Sequence, residues 1–444
     1  MSRALHAAYV CSEGCGFGAP LTEIVYRCPR CGALLDVQQD LEALRATPAA
    51  EWRRRFEGRS ALARGPLGSG VWSKQEWVYP QLPAEHIVTL GEGHTPLKGL
   101  PRMAQRLGLG SLELKECGVS PTGSFKDWGM TVLVSAVQHL RALGAPVRAV
   151  ACASTGDTSA ALSAYAAAAG IPAVVFLPRD KVSLAQLAQP IANGARVLSL
   201  DTDFDGCMRL VQAVTESKDA GLYLANSMNA LRIEGQKMVA VELAQQLGWE
   251  VPDWVVIPGG NLGNASALGK GFELLHALGL ISRRPRLAVA QAERANPLAR
   301  AFRGGFRELL PMQAGETLAS AIRIGHPVSF RRAVRTLQAF DGVVEDATEA
   351  ELAQAAAEAD REGTFTCPHT GVALAAVARL ARAGTIAPGA RVVVVSTAHG
   401  LKFTDFKVGY HRGSLPGVSS EGANPPLELP ADLGAVREAL ASLG

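Results

Sequence analysis

WVVIPGGNLGN, residues Trp254 to Asn264, is the stretch from which the fold can be read. Trp254–Ile257 is a short apolar run, Gly259–Asn264 a glycine-rich turn, and Asn264–Leu278 a helix-like segment. A buried strand feeding a helix through glycines has this pattern. The junction aims free backbone N–H groups and the positive end of the helix dipole at one point, and glycine lets an anion come close. Gly259, Gly260, Asn261, Leu262, Gly263 and Asn264 therefore form a candidate phosphate loop. They lack the spacing of G-x-G-x-x-G and the GK[ST] ending of other nucleotide loops. An ordinary tight turn is the alternative reading of the loop taken alone.

The same alternation extends outward. Apolar runs at Val147–Cys152, Ala173–Leu177, Arg196–Leu200, Arg286–Ala290 and Arg391–Ser396 read as strands. Helix-like segments at Lys126–Leu143, Thr158–Ala169, Ser183–Asn193, Arg232–Leu247 and Glu349–Glu362 lie among them. Strands alternating with helices predict α/β architecture with mainly parallel sheet. The polar region 221–250 separates two groups of such units, so two lobes are expected.

Composition sets the bounds. The chain has 444 residues, 48% of them hydrophobic and 19% charged, with a formal net charge of +3. That is globular and excludes disorder. Near-neutrality argues against a nucleic-acid surface. The longest apolar stretch, Ala160–Pro178, is broken by Ser163, Gly170 and Pro172, so no membrane span is expected. His6 interrupts the N-terminal apolar residues, no secretion signal is expected, and the chain reads as cytoplasmic.

Four of the eight cysteines cluster. Cys11 and Cys15 are spaced C-x3-C, Cys28 and Cys31 are spaced C-x2-C, and twelve residues separate the pairs. Two tight turns carrying two thiolates each suit tetrahedral zinc, and four protein ligands leave no open position for catalysis. Disulfides are the alternative, disfavoured in a reducing compartment.

Further polar clusters sit at strand ends and helix starts. Lys126 lies in SPTGSFKDWG, a turn opening onto a helix, where an amine can be held over a cofactor ring as a Schiff base. Ser154, Thr155, Asp157 and Thr158 start an alanine-rich helix and offer donors to a carboxylate, with a plain N-cap by Asp157 or Thr158 as the alternative. Asn226, Ser227, Asn229 and Arg232 crowd ahead of another helix. Arg232 can fork an anion or pair with Glu234. Thr397 ends the apolar strand RVVVVS, where α/β ligands bind.

Together these segments resemble the threonine synthase family, plant-type branch, of fold type II pyridoxal-phosphate (PLP) enzymes, the tryptophan-synthase-β-like group. YRCPRCGALLDV, SPTGSFKDWGM, CASTGDTSAALSAYAA, NSMNALRIEGQK, IPGGNLGN, SAIRIGHPVS, TCPHTGVAL and VVVSTAHGLKF carry the likeness in order across nearly the whole chain. The resemblance implies a zinc-ribbon-like module at 1–40, an N-terminal arm and linker at 41–90, and a catalytic region at 91–444. In that region a smaller lobe at about 130–225 is inserted in the larger one, and 408–444 form a tail. It implies that Lys126 is the Schiff-base lysine, that Gly259–Asn264 hold the PLP phosphate and that Thr397 meets the pyridine nitrogen. It places Asp157 near the cofactor's phenolic oxygen. Ser154, Thr155 and Thr158 would bind substrate carboxylate, and Asn226, Ser227, Asn229 and Arg232 substrate phosphate. The implied reaction converts O-phospho-L-homoserine and water to L-threonine and phosphate in a homodimer. Threonine or serine dehydratase and cysteate synthase are the alternatives within the fold. A regulatory or binding protein is the alternative outside catalysis, and an intact Lys126 with a complete phosphate loop argues against it.

Overall fold

A computed structural model of the chain describes residues 4–62, 65–154, 156–179, 184–216, 220–309 and 311–441. The cysteine-rich N-terminus forms an antiparallel sheet of β1 (Ala7–Cys11), β2 (Gly18–Pro20) and β3 (Leu35–Gln39), in the order β2-β1-β3. Along β1 buried and half-buried residues alternate, as in a sheet with one covered face.

After β4 (Leu97–Gly99) and β5 (Ser111–Glu116) the chain leaves to build a second sheet. That sheet holds β6 (Ala149–Ala153), β7 (Ala173–Pro178), β8 (Arg196–Leu200) and β9 (Leu222–Leu224), all parallel, in the order β8-β7-β6-β9. The chain then returns with β10 (Trp254–Pro258), β11 (Arg286–Ala292), β12 (Val343–Ala347) and β13 (Arg391–Ser396). The large sheet runs β12-β11-β10-β13-β5-β4 and is parallel except for the edge pair β4–β5. Every residue of β6 and β10 is buried, as expected of parallel strands covered on both faces. The expected α/β fold with two parallel sheets is thus observed. Strands β4, β5, β9 and β12 are short or mixed in polarity and did not register as apolar runs.

Two packing features depart from the sequence reading. Residues 41–90 do not extend outward. Trp52, Phe56, Trp72 and Trp77 are fully buried and belong to one hydrophobic core with Tyr9, Cys28, Val37, Trp128, Leu231 and Leu268. The cysteine module shares that core. The expected helix Arg232–Leu247 is two helices, Ala230–Gln236 and Met238–Gln246, joined at Lys237. No described helix is long and apolar enough to cross a membrane.

Candidate active site

β10 and β13 run side by side with Val256 opposite Val394, so both emerge at the same end of the large sheet. After β10 comes the glycine loop and after β13 comes Thr397. In an open parallel sheet, ligands collect at such carboxyl ends.

The loop's glycines are required by close approach. A Cβ on Gly259 would lie 2.5 Å from Val289 Cγ1, and one on Gly260 would lie 2.9 Å from Ile322 Cα. Leu262 takes φ of 66°, an uncommon value for a non-glycine residue, and buries its side chain as the Gly263–Ala277 helix begins. Asn264 donates through Nδ2 to the carbonyl of Pro258 at 2.8 Å, closing the turn. Asn261 accepts from Val328 N through Oδ1 at 3.4 Å. The backbone N–H groups of 260–264 donate to no described residue. Beside them the buried Ser329 hydroxyl has no partner, with its Oγ 3.7 Å from where a Cβ on Gly263 would sit. Open N–H groups, an orphan hydroxyl and a helix N-terminus fit a phosphate ester. Ser329 lies within the quoted SAIRIGHPVS, but nothing in its spacing marks it.

Lys126 is the first residue of the Lys126–Ala142 helix. The residue before it donates its N–H to the carbonyl of Thr397 at 2.9 Å, and Ser124 bridges Ala398, so lysine turn and β13 end are tied together. The amine lies 3.9 Å from the Phe125 ring centroid. Burial lowers its pKa to about 8. Asp157 opposes that fall, while Arg232 and Lys402 reinforce it. The Thr397 hydroxyl has no described partner.

The Lys126–Ala142 helix packs on Ala230–Gln236 through two glycines. A Cβ on Gly235 would lie 1.6 Å from Trp128 O, and one on Gly129 would lie 2.9 Å from Arg232 O. Arg232 is thereby set beside the lysine helix. It is 3% exposed, its Nε has no partner, and NH1 reaches only the carbonyl of Ala225 at 3.2 Å. Among the described residues no carboxylate pairs with it. Glu234, the alternative partner, is held by Lys237, Lys270 and Gln39. Burial lowers the guanidinium pKa to about 10.

The two asparagines of this segment are already committed. Asn226 accepts from Ala153 N at 3.0 Å through Oδ1 and donates back to Ala153 O at 2.8 Å, with Met208 Sδ at 3.2 Å. Asn229 caps the helix by accepting from Leu231 N at 3.0 Å, while Nδ2 faces Tyr223 Oη at 3.1 Å and Leu224 O at 3.3 Å. Both side chains thus also hold the segment in place. The Ser227 hydroxyl has no described partner, and the residue is half-buried.

The Ser154–Thr158 segment meets the Asn226 segment through the Ala153 bonds. Ser154 Oγ accepts from Gly156 N and Ser159 N, both at 3.2 Å, so Ser154 supplies the capping oxygen. Asp157 is the helix's first residue and makes no cap bond. Its buried carboxylate instead meets Lys402 Nζ at 3.3 Å. Thr158 is half-buried, and Thr155 lies outside the described residues. Lys402, absent from the expected set, also donates to Thr122 O at 2.9 Å and Gln189 Oε1 at 2.8 Å. A lysine after a strand end reads as solvated surface, so its sequence carries no signal. Cys367 is likewise fully buried beside His369 Nδ1 at 3.3 Å. Although burial raises its pKa, His369 and the Thr370 hydrogen bonds lower it to about 7.

Lys126 and Lys402 thus lie by one carboxylate, Asp157, and Arg232 adds a third cation near Lys126. The surplus is positive and suits anionic ligands.

At the far side of the N-terminal module, Cys11, Cys15, Cys28 and Cys31 bring four Sγ atoms within 4.8 Å of one another. The close pairs are Cys11–Cys31 at 3.4 Å and Cys15–Cys28 at 3.3 Å, and none is disulfide-bonded.

Residues 88–398 match the family described as pyridoxal-phosphate dependent enzyme. Threonine synthase 2, chloroplastic, of Arabidopsis thaliana is 54% identical over 422 residues, covering 95% of this chain and 81% of that one. Threonine synthase of Methanocaldococcus jannaschii is 38% identical, covering 88% and 92%. The crystal structure of threonine synthase from Escherichia coli shares the fold, with a TM-score of 0.70 at 21% identity over 98% of this chain and 100% of that one.

Proposed function

The chain belongs to the pyridoxal-phosphate-dependent enzymes and, among them, to the threonine synthases, and from that premise we infer that it converts O-phospho-L-homoserine and water to L-threonine and phosphate. One observation carries the substrate assignment: Arg232 is a buried cation with no acid partner among the described residues. Such a charge is costly unless an anion completes it. A substrate with a phosphate at one end and a carboxylate at the other needs two separate seats. Arg232 and Ser227 offer the first, Ser154, Thr155 and Thr158 the second.

The glycine loop, the Ser329 hydroxyl and the Lys126 amine fit PLP. Gly259–Asn264 would hold its phosphate, Lys126 its aldehyde carbon, and Thr397 would face its ring nitrogen. When bound, PLP withdraws electrons from a substrate joined through its amino nitrogen, so that Cα and then Cβ can lose protons. Lys126, released by the substrate, is placed to take both protons. Its lowered pKa lets the neutral amine act as base near neutral pH. Arg232 holds the phosphate as it leaves from Cγ. Asn226 and Asn229 keep that seat in register. Asp157 balances the charge of Lys402 beside Lys126 and would face the cofactor's phenolic oxygen. Thr397 brings a hydroxyl, not a carboxylate, so it holds no proton on the ring nitrogen.

The four cysteines are assigned to a structural zinc. A tetrahedral ion with bonds of about 2.3 Å spaces its sulfurs roughly 3.8 Å apart, close to the spacing the cluster already has. The reading places the enzyme in the cytoplasm, a reducing compartment that keeps these thiols available. It also takes the enzyme as a homodimer, on the strength of the family likeness. Sedimentation of the loaded enzyme at the mass of one chain would reject the dimer.

The function is tested by phosphate release from O-phospho-L-homoserine, compared with O-phosphoserine and threonine. Arg232→Ala should lose roughly 1.5–3 kcal/mol of charged hydrogen bonding, about ten- to a hundredfold in kcat/KM. Equal turnover of O-phosphoserine would overturn the substrate assignment.

A further inference from the structure

The Arg232 guanidinium makes one hydrogen bond among the described residues, so its position depends on how its helix is held. The segment that carries it is gripped on both sides by the cysteine module. Before the segment, Leu224 N donates to Tyr26 Oη at 2.9 Å, and the Tyr26 ring stands edge-on to Tyr223 with centroids 5.5 Å apart. Tyr9 neighbours Tyr223, whose hydroxyl faces the Asn229 amide at 3.1 Å. After the segment, Glu234 lies two residues beyond Arg232 and is completely buried. Gln39 Nε2 donates to it at 2.6 Å and Lys270 Nζ at 2.6 Å. Lys270 also binds Asp36 Oδ1 at 2.7 Å, and Lys237 completes the cluster. Tyr9 is in β1, Asp36 and Gln39 in β3, and Tyr26 in the loop between β2 and β3. None of them is in the set assigned to cofactor or substrate.

We propose that Tyr26 and Gln39 are positioning residues for the substrate-phosphate seat, and that the cysteine module is the frame holding Arg232 in place. The proposal rests on the reading that Arg232 binds that phosphate. A purely structural module would share core with the large lobe at any convenient face. Besides contacts with Trp77, Gln81, Lys270 and Arg332, this one places buried polar contacts on the strand just before the seat and on the helix that carries Arg232. Those contacts are buried and directional, so a small shift in them moves the guanidinium while leaving Lys126 on its own helix.

The test uses the PLP-loaded full chain. Tyr26→Phe keeps the ring and removes the oxygen that accepts from Leu224. Gln39→Met removes the donor to Glu234 from the opposite side. Each should raise KM for O-phospho-L-homoserine about three- to tenfold with kcat within twofold, and should weaken inhibition by inorganic phosphate by the same factor. Binding of L-threonine, which has a carboxylate and no phosphate, should be unchanged when read from the cofactor's visible spectrum. A lowered thermal midpoint with phosphate inhibition intact would overturn the proposal, as would equal weakening of phosphate and threonine. If one variant fails to fold, the other carries the test from the opposite side. Arg232→Ala is run alongside. If it loses phosphate affinity while Tyr26→Phe and Gln39→Met keep it, the positioning role fails and the phosphate reading stands. If Arg232→Ala keeps phosphate affinity, the phosphate reading fails and the proposal falls with it.

Discussion

Lys126 shows what a site does to a side chain whose type the sequence already gives. With its pKa lowered from 10.5 to about 8, about a tenth of the amine is neutral at pH 7, against about 0.03% for an ordinary lysine. Only the neutral amine can attack a carbonyl carbon. The rate at which cofactor-free protein captures PLP should therefore rise about tenfold per pH unit up to pH about 8 and then level off, followed by absorbance. A rate still rising at pH 10 would contradict this. The neighbours give opposite signs. Lys402 lowers the Lys126 pKa, so Lys402→Gln should move the break to higher pH. Asp157 raises it, so Asp157→Asn should move the break to lower pH while keeping PLP. Unmoved breaks in both variants would mean that these groups do not face the amine. Lys126 at a helix-opening turn is a weak signal alone and gained its weight from the motifs that accompany it. The role of Asp157 was not legible, because a first-turn acid is also an ordinary helix feature. The capping oxygen turned out to come from Ser154, three residues earlier. The resemblance assigns Asn226 and Asn229 to substrate phosphate, and the structure shows both amides also holding their own segment. The Asn226 bonds reach Ala153, 73 residues earlier, which local composition cannot show, while Asn229 meets Tyr223 and Leu224 only six and five residues before it.

Among the elements, the junction of the lysine helix with Ala230–Gln236 matters most. Gly129 and Gly235 let the two backbones touch, which sets the distance between the amine and the guanidinium. Gly235→Ala puts a methyl group where Trp128 O stands, so the helices must separate. Overpacking of this kind typically costs about 1–3 kcal/mol. We expect a lower denaturant midpoint together with a raised KM for the phosphorylated substrate. An unchanged midpoint would show that the contact is looser than described. Strand, loop and helix were each readable from period and glycine content, with helix ends displaced by a residue or so. The break at Lys237 was not, because apolar spacing continues through it. Glu234 and Lys237 pair locally at i,i+3 across the break, and the tertiary part of that cluster is Gln39 and Lys270 on Glu234.

Across the whole molecule, the N-terminal module and the residues after it are part of the catalytic body. Metal analysis should find one zinc per chain, lost in Cys28→Ser. Structural zinc contributes on the order of several kcal/mol or more to folding. Because Cys28 lies in the same core as Trp52, Trp128 and Leu268, its loss should lower the main thermal transition, not only release the first 40 residues. An unaltered main transition would show that the module folds apart from the rest. The sequence by itself determined the α/β class, the parallel sheets and the four-cysteine cluster, while the roles of Lys126 and the glycine loop come from the family resemblance. The class, the sheets and the cluster are written in local period, spacing or turn chemistry. Tertiary structure alone decided that residues 41–90 fold inward, that Lys402 meets Asp157, that Ser329 stands by the loop and that Arg232 has no acid partner among the described residues. These depend on which surfaces meet across hundreds of residues. Apolar faces and buried charges find their partners by packing, and one chain's order of residues does not say which of several compatible partners will be nearest.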